Sequence, residues 1–139
     1  HLPSTIPNAI SAAVSSIARQ LNAAAILPLT KSGSTAHNVS KFRPPTPILA
    51  ITSEIEVARR LQLVWGIIPI LIPGQVNTTK TFNLAIEIAE QMNILNHGDI
   101  VVETAGTLSG VSGSTDLIKV GIVGTNLDST LNKHELFNK

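Results

Sequence analysis

Apolar residues at Ile10, Ala13, Val14, Ile17, Ala18 and Leu21 recur at helical spacing, which predicts a first helix with one core-facing stripe. Ser4 or Thr5 is placed to cap it, and Pro7 falls in the first turn, where a missing N–H costs little. The run Ala23 to Leu29 is too short for a second helix and reads as strand one. A short helix is expected from about Ser34 to Lys41, ended by Pro44, Pro45 and Pro47. Ile48 to Ile51 reads as strand two. Ser53 and Glu56 have the spacing of a capping box, and Val57, Ala58, Leu61 and Val64 line one face of the helix it would start.

Ile67 to Ile72 reads as strand three, and Pro69 within it argues for the edge of a sheet. After the Pro73-Gly74 turn, Thr78 or Thr79 is a candidate cap for a long helix buried through Phe82, Ala85, Ile86, Ala89 and Met92. Strand four covers Ile100 to Val102 and strand five covers Leu117 to Val123. Strands one, two and four are almost wholly apolar, as parallel strands are when helices cover both faces. Too few residues separate strands four and five for a crossover helix, so the last strand should run antiparallel beside strand four. The expectation is an α/β, three-layer open sheet of five strands, four parallel and the last antiparallel, with helices on both faces. The domain should occupy residues 1–124, with 125–139 a polar tail or linker.

Composition narrows the possibilities. A chain of 139 residues with 43% hydrophobic content is one domain with a real core. A net charge of +1 gives no basic field for nucleic acid or an anionic membrane, and 3% aromatics leaves few stacking platforms. The absence of cysteine excludes disulfides, thiolate metal sites and a cysteine nucleophile, and fits a reducing, cytoplasmic setting. No apolar run approaches the ~20 residues of a spanning helix. The chain opens on His1 rather than Met, without a signal-peptide pattern, and reads as a piece of a longer protein.

Two loops carry the chemistry. Thr30, Lys31, Ser32, Gly33, Ser34 and Thr35 follow strand one and open into a helix; Gly106, Gly110, Gly113, Ser114 and Thr115 follow strand four. Amides and hydroxyls gathered at a helix's positive end suit a phosphate. The plainer reading of the first loop is a strand-to-helix connection whose Ser and Thr cap the helix.

The ordered set Ala24-Ala25-Ile26, Thr30-Lys31-Ser32-Gly33, Ala36-His37, Lys41-Phe42-Arg43-Pro44, Pro47 to Thr52, Ala58-Arg59-Arg60-Leu61, Trp65-Gly66-Ile67, His97 to Val102, Ala105-Gly106 and Gly113-Ser114-Thr115 resembles the carboxy-terminal domain of pyruvate kinase. The likeness runs from about Ile10 to Gly124 and is closer to Bacillus-like enzymes than to animal ones. It implies a parent enzyme that transfers a phosphoryl group from phosphoenolpyruvate to ADP, with magnesium and potassium, in a TIM barrel upstream of this segment. It also implies an allosteric domain that helps to build a tetramer, with no catalytic residue, cofactor or metal in this fragment. The family's phosphate loop maps onto Thr30, Lys31, Ser32, Gly33, Ser34 and Thr35, with Gly110, Gly113, Ser114 and Thr115 as the second half of the site. Members activated by fructose 1,6-bisphosphate carry a tryptophan and an arginine in that second region. This chain has Thr107, Leu108, Ser109, Val111 and Ser112, and no Lys or Arg between Gly106 and Leu117. A monophosphate is therefore the expected effector.

The remaining polar residues read as ordinary. His37 and His97 suit a helix surface and a helix C-terminus, and His1 and His134 lie near the chain ends. Trp65 should plug the end of the third helix against the core. Arg59, Arg60, Glu54, Glu56, Glu87 and Glu90 read as solvated helix surface, although the resemblance allows Arg59 or Arg60 a subunit contact. Two other functions compete: a free-standing sensor of phosphorylated metabolites, and a small hydrolase acting at the 30–35 loop.

Overall fold

The computed structural model describes residues 5–74, 77–105 and 117–125. The elements are α1 (Ile6–Gln20), β1 (Ala25–Pro28), α2 (Ser34–Lys41), β2 (Ile48–Thr52), α3 (Ile55–Leu61), β3 (Ile67–Leu71), α4 (Thr78–Gln91), β4 (Ile100–Ala105) and β5 (Leu117–Ile122). They form one five-stranded sheet in the order β3-β2-β1-β4-β5. β1 pairs in parallel with β2 and β4, β2 pairs in parallel with β3, and β4 pairs antiparallel with β5. The α/β fold class read from the sequence is therefore the observed one, including the edge position of β3 and the direction of β5. The second Gly-rich segment, with Gly110, Gly113, Ser114 and Thr115, and the tail from residue 126 onward lie outside the described residues.

Alternation along the strands divides the core in two. Ala25, Leu27, Leu49, Ile51, Ile70 and Val101 face α4, against Phe82, Ala85 and Ala89. Ile26, Ile48, Ala50, Ile67 and Val102 face the other way, against Val14 and Ala18 of α1, Ala36 and Val39 of α2, and Val57 and Leu61 of α3. Three helices thus cover one face and one covers the other. Every residue of β1 and β2 is buried, which is why these strands carry no polar alternation in sequence. Among the described residues no helix is long and apolar enough to cross a membrane.

Several local expectations are corrected. Thr5 caps α1, its Oγ1 accepting from Asn8 N–H at 3.2 Å, but Leu21 lies past the last turn and is 41% exposed. Of the predicted stripe, Val14 and Ala18 are buried with Ile10 and Ile17 packed against the same cluster, and Ser11 and Ser15 are buried beside them, small enough to let α1 lie close to its neighbours. The Ser53–Glu56 capping box does not form. Thr52 Oγ1 takes the Glu54 N–H at 3.1 Å, the helix starts one residue later with Glu54 as N-cap, and Glu56 turns to Arg59 at 3.2 Å. α4 is capped by Asn77, whose Oδ1 accepts from Lys80 N–H at 3.0 Å, so Thr78 and Thr79 sit inside the first turn. Met92 follows α4 and is 51% exposed, leaving the burial to Thr81, Phe82, Ala85 and Ala89.

Two ring residues also differ from expectation. Trp65 is 48% exposed and carries the Arg43 guanidinium 4.7 Å from its ring centroid, so it shields a cation at the surface and does not plug the core. His97 lies beyond α4 in the turn before β4, with its imidazole filling the space where a Cβ on Gly124 would stand. Gly124 has φ +91°, so only glycine meets both demands there.

Candidate functional site

The strand order reverses direction of growth at the β1–β4 pair, where α2 leaves over one face and α4 covers the other. In open α/β sheets the crevice beyond the carboxyl ends of such strands is where ligands settle. Residues 30–35 leave β1 at this point. Leu29 N–H donates to Thr104 O at 2.9 Å and Thr30 N–H donates to Ile51 O at 2.8 Å, so the start of the loop is anchored to β4 on one side and β2 on the other.

The loop folds tightly back on itself. Thr30 is 5% exposed, and its Oγ1 accepts from Gly33 N–H at 2.8 Å. Its own O–H remains a donor by the chemistry of a hydroxyl. Gly33 is the N-cap of α2 with φ +96°, a left-handed conformation that costs an L-residue about 1–2 kcal/mol. A Cβ there would also meet Val57 Cγ1 at 3.4 Å and Leu61 Cδ2 at 3.5 Å. The hydroxyls of Ser32 and Ser34 lie 3.1 Å apart, both half-buried, and Ser34 N–H reaches Ser32 Oγ at 3.4 Å.

α2 receives no side-chain cap from its N-cap residue and has no acidic residue in its first turn. The first helical N–H, that of Ser34, turns instead to the Ser32 hydroxyl one residue before the cap. The charges nearby are cationic. Lys31 is exposed, and Arg60, which sequence placed on a solvated helix face, donates through Nη2 to Ser32 O at 3.5 Å. Two hydroxyls, a helix N-terminus and two cations around one loop constitute a rim that can hold one dianionic group.

Of the residues singled out in sequence, Thr30, Ser32, Gly33 and Ser34 are brought together, Lys31 points to solvent, and Thr35 is buried in the first turn of α2. His37 is exposed on the same helix, its backbone N–H bonded to Gly33 O at 3.0 Å. Sequence reasoning missed Arg60, which lies 28 positions from Ser32, a separation that no local pattern reveals. Glu103, at the head of the second Gly-rich stretch in sequence, is buried within β4. Among the described residues no group of three or more His, Asp or Glu lies together to hold a metal ion.

Comparison with known proteins agrees with this architecture. Residues 8–121 match the family described as pyruvate kinase, alpha/beta domain. The chain is 61% identical over 119 residues to pyruvate kinase 2 of Synechocystis sp., covering 86% of this chain and 20% of that protein. It is 39% identical over 123 residues to the pyruvate kinase of Staphylococcus saprophyticus, and 37% identical over 123 residues to that of Staphylococcus aureus, covering 88% of this chain and 21% of each relative. The chain thus spans about a fifth of the length of these relatives. With the family match extending over α1 to β5, the chain belongs to the pyruvate kinase alpha/beta domain family.

Proposed function

We propose that this chain is the regulatory and assembly domain of a bacterial pyruvate kinase, and that its 30–35 rim binds a phosphorylated effector. The observation that carries the reading is the start of α2: a glycine N-cap with no side-chain cap, flanked by Ser32, Ser34, Lys31 and Arg60. A phosphate dianion placed there gains the helix's positive end, two hydroxyl donors and two cationic side chains at once. The parent enzyme passes a phosphoryl group from phosphoenolpyruvate to ADP in a barrel contributed by other residues, and the domain alone turns nothing over.

Effector binding biases a two-state tetramer by shifting the packing of a neighbouring subunit. Coupling of this kind is typically ~1–3 kcal/mol, or about 5- to 150-fold in affinity. A monophosphate is favoured because residues 106–117 supply no Lys or Arg for a second phosphate. The parent enzyme, cytoplasmic and tetrameric in this reading, tests it directly. Its activation is titrated with ribose 5-phosphate and with fructose 1,6-bisphosphate. Activation by the monophosphate, lost on Ser32→Glu, is the expected result. Stronger activation by the bisphosphate overturns the monophosphate preference, and activation that survives Ser32→Glu places the effector elsewhere.

A further inference from the structure

The end of the sheet opposite the rim carries a second surface, made by two neighbouring turns. α2 runs from its N-cap Gly33 at the rim to its C-cap Phe42 at this end, 8 helical residues or about 12 Å. The turn after α2 and the turn after α3 are tied together. Ser40 Oγ donates to Trp65 O at 2.7 Å, Ile48 N–H donates to Gly66 O at 3.0 Å, and the Arg43 guanidinium lies 4.7 Å from the Trp65 ring centroid. Large apolar side chains stand open on both turns, with Leu63 91%, Trp65 48% and Phe42 38% exposed. Arg43 holds φ +48° at the position after a helix C-cap, where glycine or asparagine is usual. An arginine kept in that conformation and set over a half-exposed tryptophan calls for a reason beyond ending a helix.

We propose that these two turns are a docking surface for the rest of the parent chain. A segment outside this domain sets an aspartate or glutamate against Arg43 and apolar side chains over Leu63 and Trp65. This rests on the reading of the chain as one domain of a larger enzyme: the matches cover 20% or 21% of each relative, so most of each lies outside them. Charge selects the occupant. Lys41 and Arg43 are exposed, and among the described residues neither has an acidic partner. A guanidinium over an aromatic ring still has N–H groups to donate in a pair to a carboxylate. A second copy of the same surface, related by a two-fold axis, would instead bring Lys41 and Arg43 against themselves. Tryptophan and arginine are also the residues in which contact energy concentrates at interfaces. α2 then joins two ends, the effector phosphate at Gly33 and the rest of the enzyme at Arg43, so a shift of this one helix reaches both.

The test places a photo-crosslinking residue in the full-length parent enzyme, Leu63→p-benzoylphenylalanine, at a side chain exposed enough to be exchanged without disturbing the core. Irradiation should join this position to a peptide of the same chain outside residues 1–139, at single-chain mass, with the peptide identified by mass spectrometry. Adding Arg43→Glu should lower the yield by about tenfold, the scale of one hydrogen bond to a charged group. A crosslink to a second copy, a crosslink within the domain, or none at all overturns the docking surface. A yield unchanged by Arg43→Glu overturns the carboxylate and with it the occupant named here. Should Arg43→Glu not fold, Arg43→Gln, which loses the charge and keeps a polar side chain, takes its place with the same two outcomes. No effector is present, so a failure of ribose 5-phosphate to activate the enzyme leaves this surface standing. A natural protein no longer than this chain would overturn the larger-enzyme reading itself.

Discussion

The beginnings of α2 and α4 are built in opposite ways. α4 is closed by its own sequence: Asn77 Oδ1 accepts from Lys80 N–H. α2 starts at Gly33 with no side-chain cap and no acidic residue in its first turn, and Lys31 and Arg60 stand beside it. A helix start whose N-cap side chain accepts an N–H contributes to stability, whereas one with a glycine N-cap, no acid in its first turn and cations beside it suits an anion. In the reading proposed above, that difference puts a ligand's phosphate over α2 and not over α4.

Four substitutions probe that asymmetry, from the largest effect to the smallest. Ser32→Glu puts a carboxylate where the dianion should sit, and effector affinity in the parent enzyme should fall by about 50-fold or more, within the range of one allosteric coupling. Calorimetry that finds a loss below a few-fold would separate Ser32 from the ligand. Gly33→Ala forces an L-residue into a left-handed conformation against Val57 and Leu61, at a cost of about 1–2 kcal/mol of stability. Denaturant unfolding checks this, and a neutral result would mean that the loop relaxes.

Asn77→Ala should lower stability by about 1 kcal/mol, the usual loss for a removed N-cap, and leave phosphate affinity where it was. A matching fall in affinity for inorganic phosphate would erase the contrast between the two helix starts. Arg60→Ala should weaken phosphate binding about two- to threefold, more at low salt than at high, because its exposed guanidinium is screened. A salt-independent effect would assign Arg60 a structural role through Ser32 O instead.

Much of the fold was legible because its signals are local. The apolar runs gave β1, β2 and β4, the prolines at 44, 45 and 47 closed α2, and Pro69 marked β3 as an edge. The direction of β5 followed from chain length alone, since no helix fits before it. The helix caps were harder. Asn77, Thr78 and Thr79 are all competent caps in sequence, and the path of the chain out of Pro73-Gly74 decides among them. Ser53 lost its role because Thr52, at the end of a buried strand, already held the Glu54 N–H.

The candidate site divides in the same way. Its contiguous part, Thr30 to Ser34, was visible as a motif, and Gly33 was recognisable as the residue that lets the chain turn into α2. Arg60 was not, because only the packing of α3 on the sheet brings it to Ser32 O. Trp65 misled for a related reason. A lone tryptophan after an amphipathic helix suggests a core plug, yet Arg43 offers its ring a cationic partner at the surface.

The most direct measurement is a crystal structure of the parent enzyme with bound ribose 5-phosphate. The account predicts the phosphate within hydrogen-bonding distance of the Ser32 and Ser34 hydroxyls and the first amides of α2. A phosphate bound away from residues 30–35, with that loop unchanged, would contradict it.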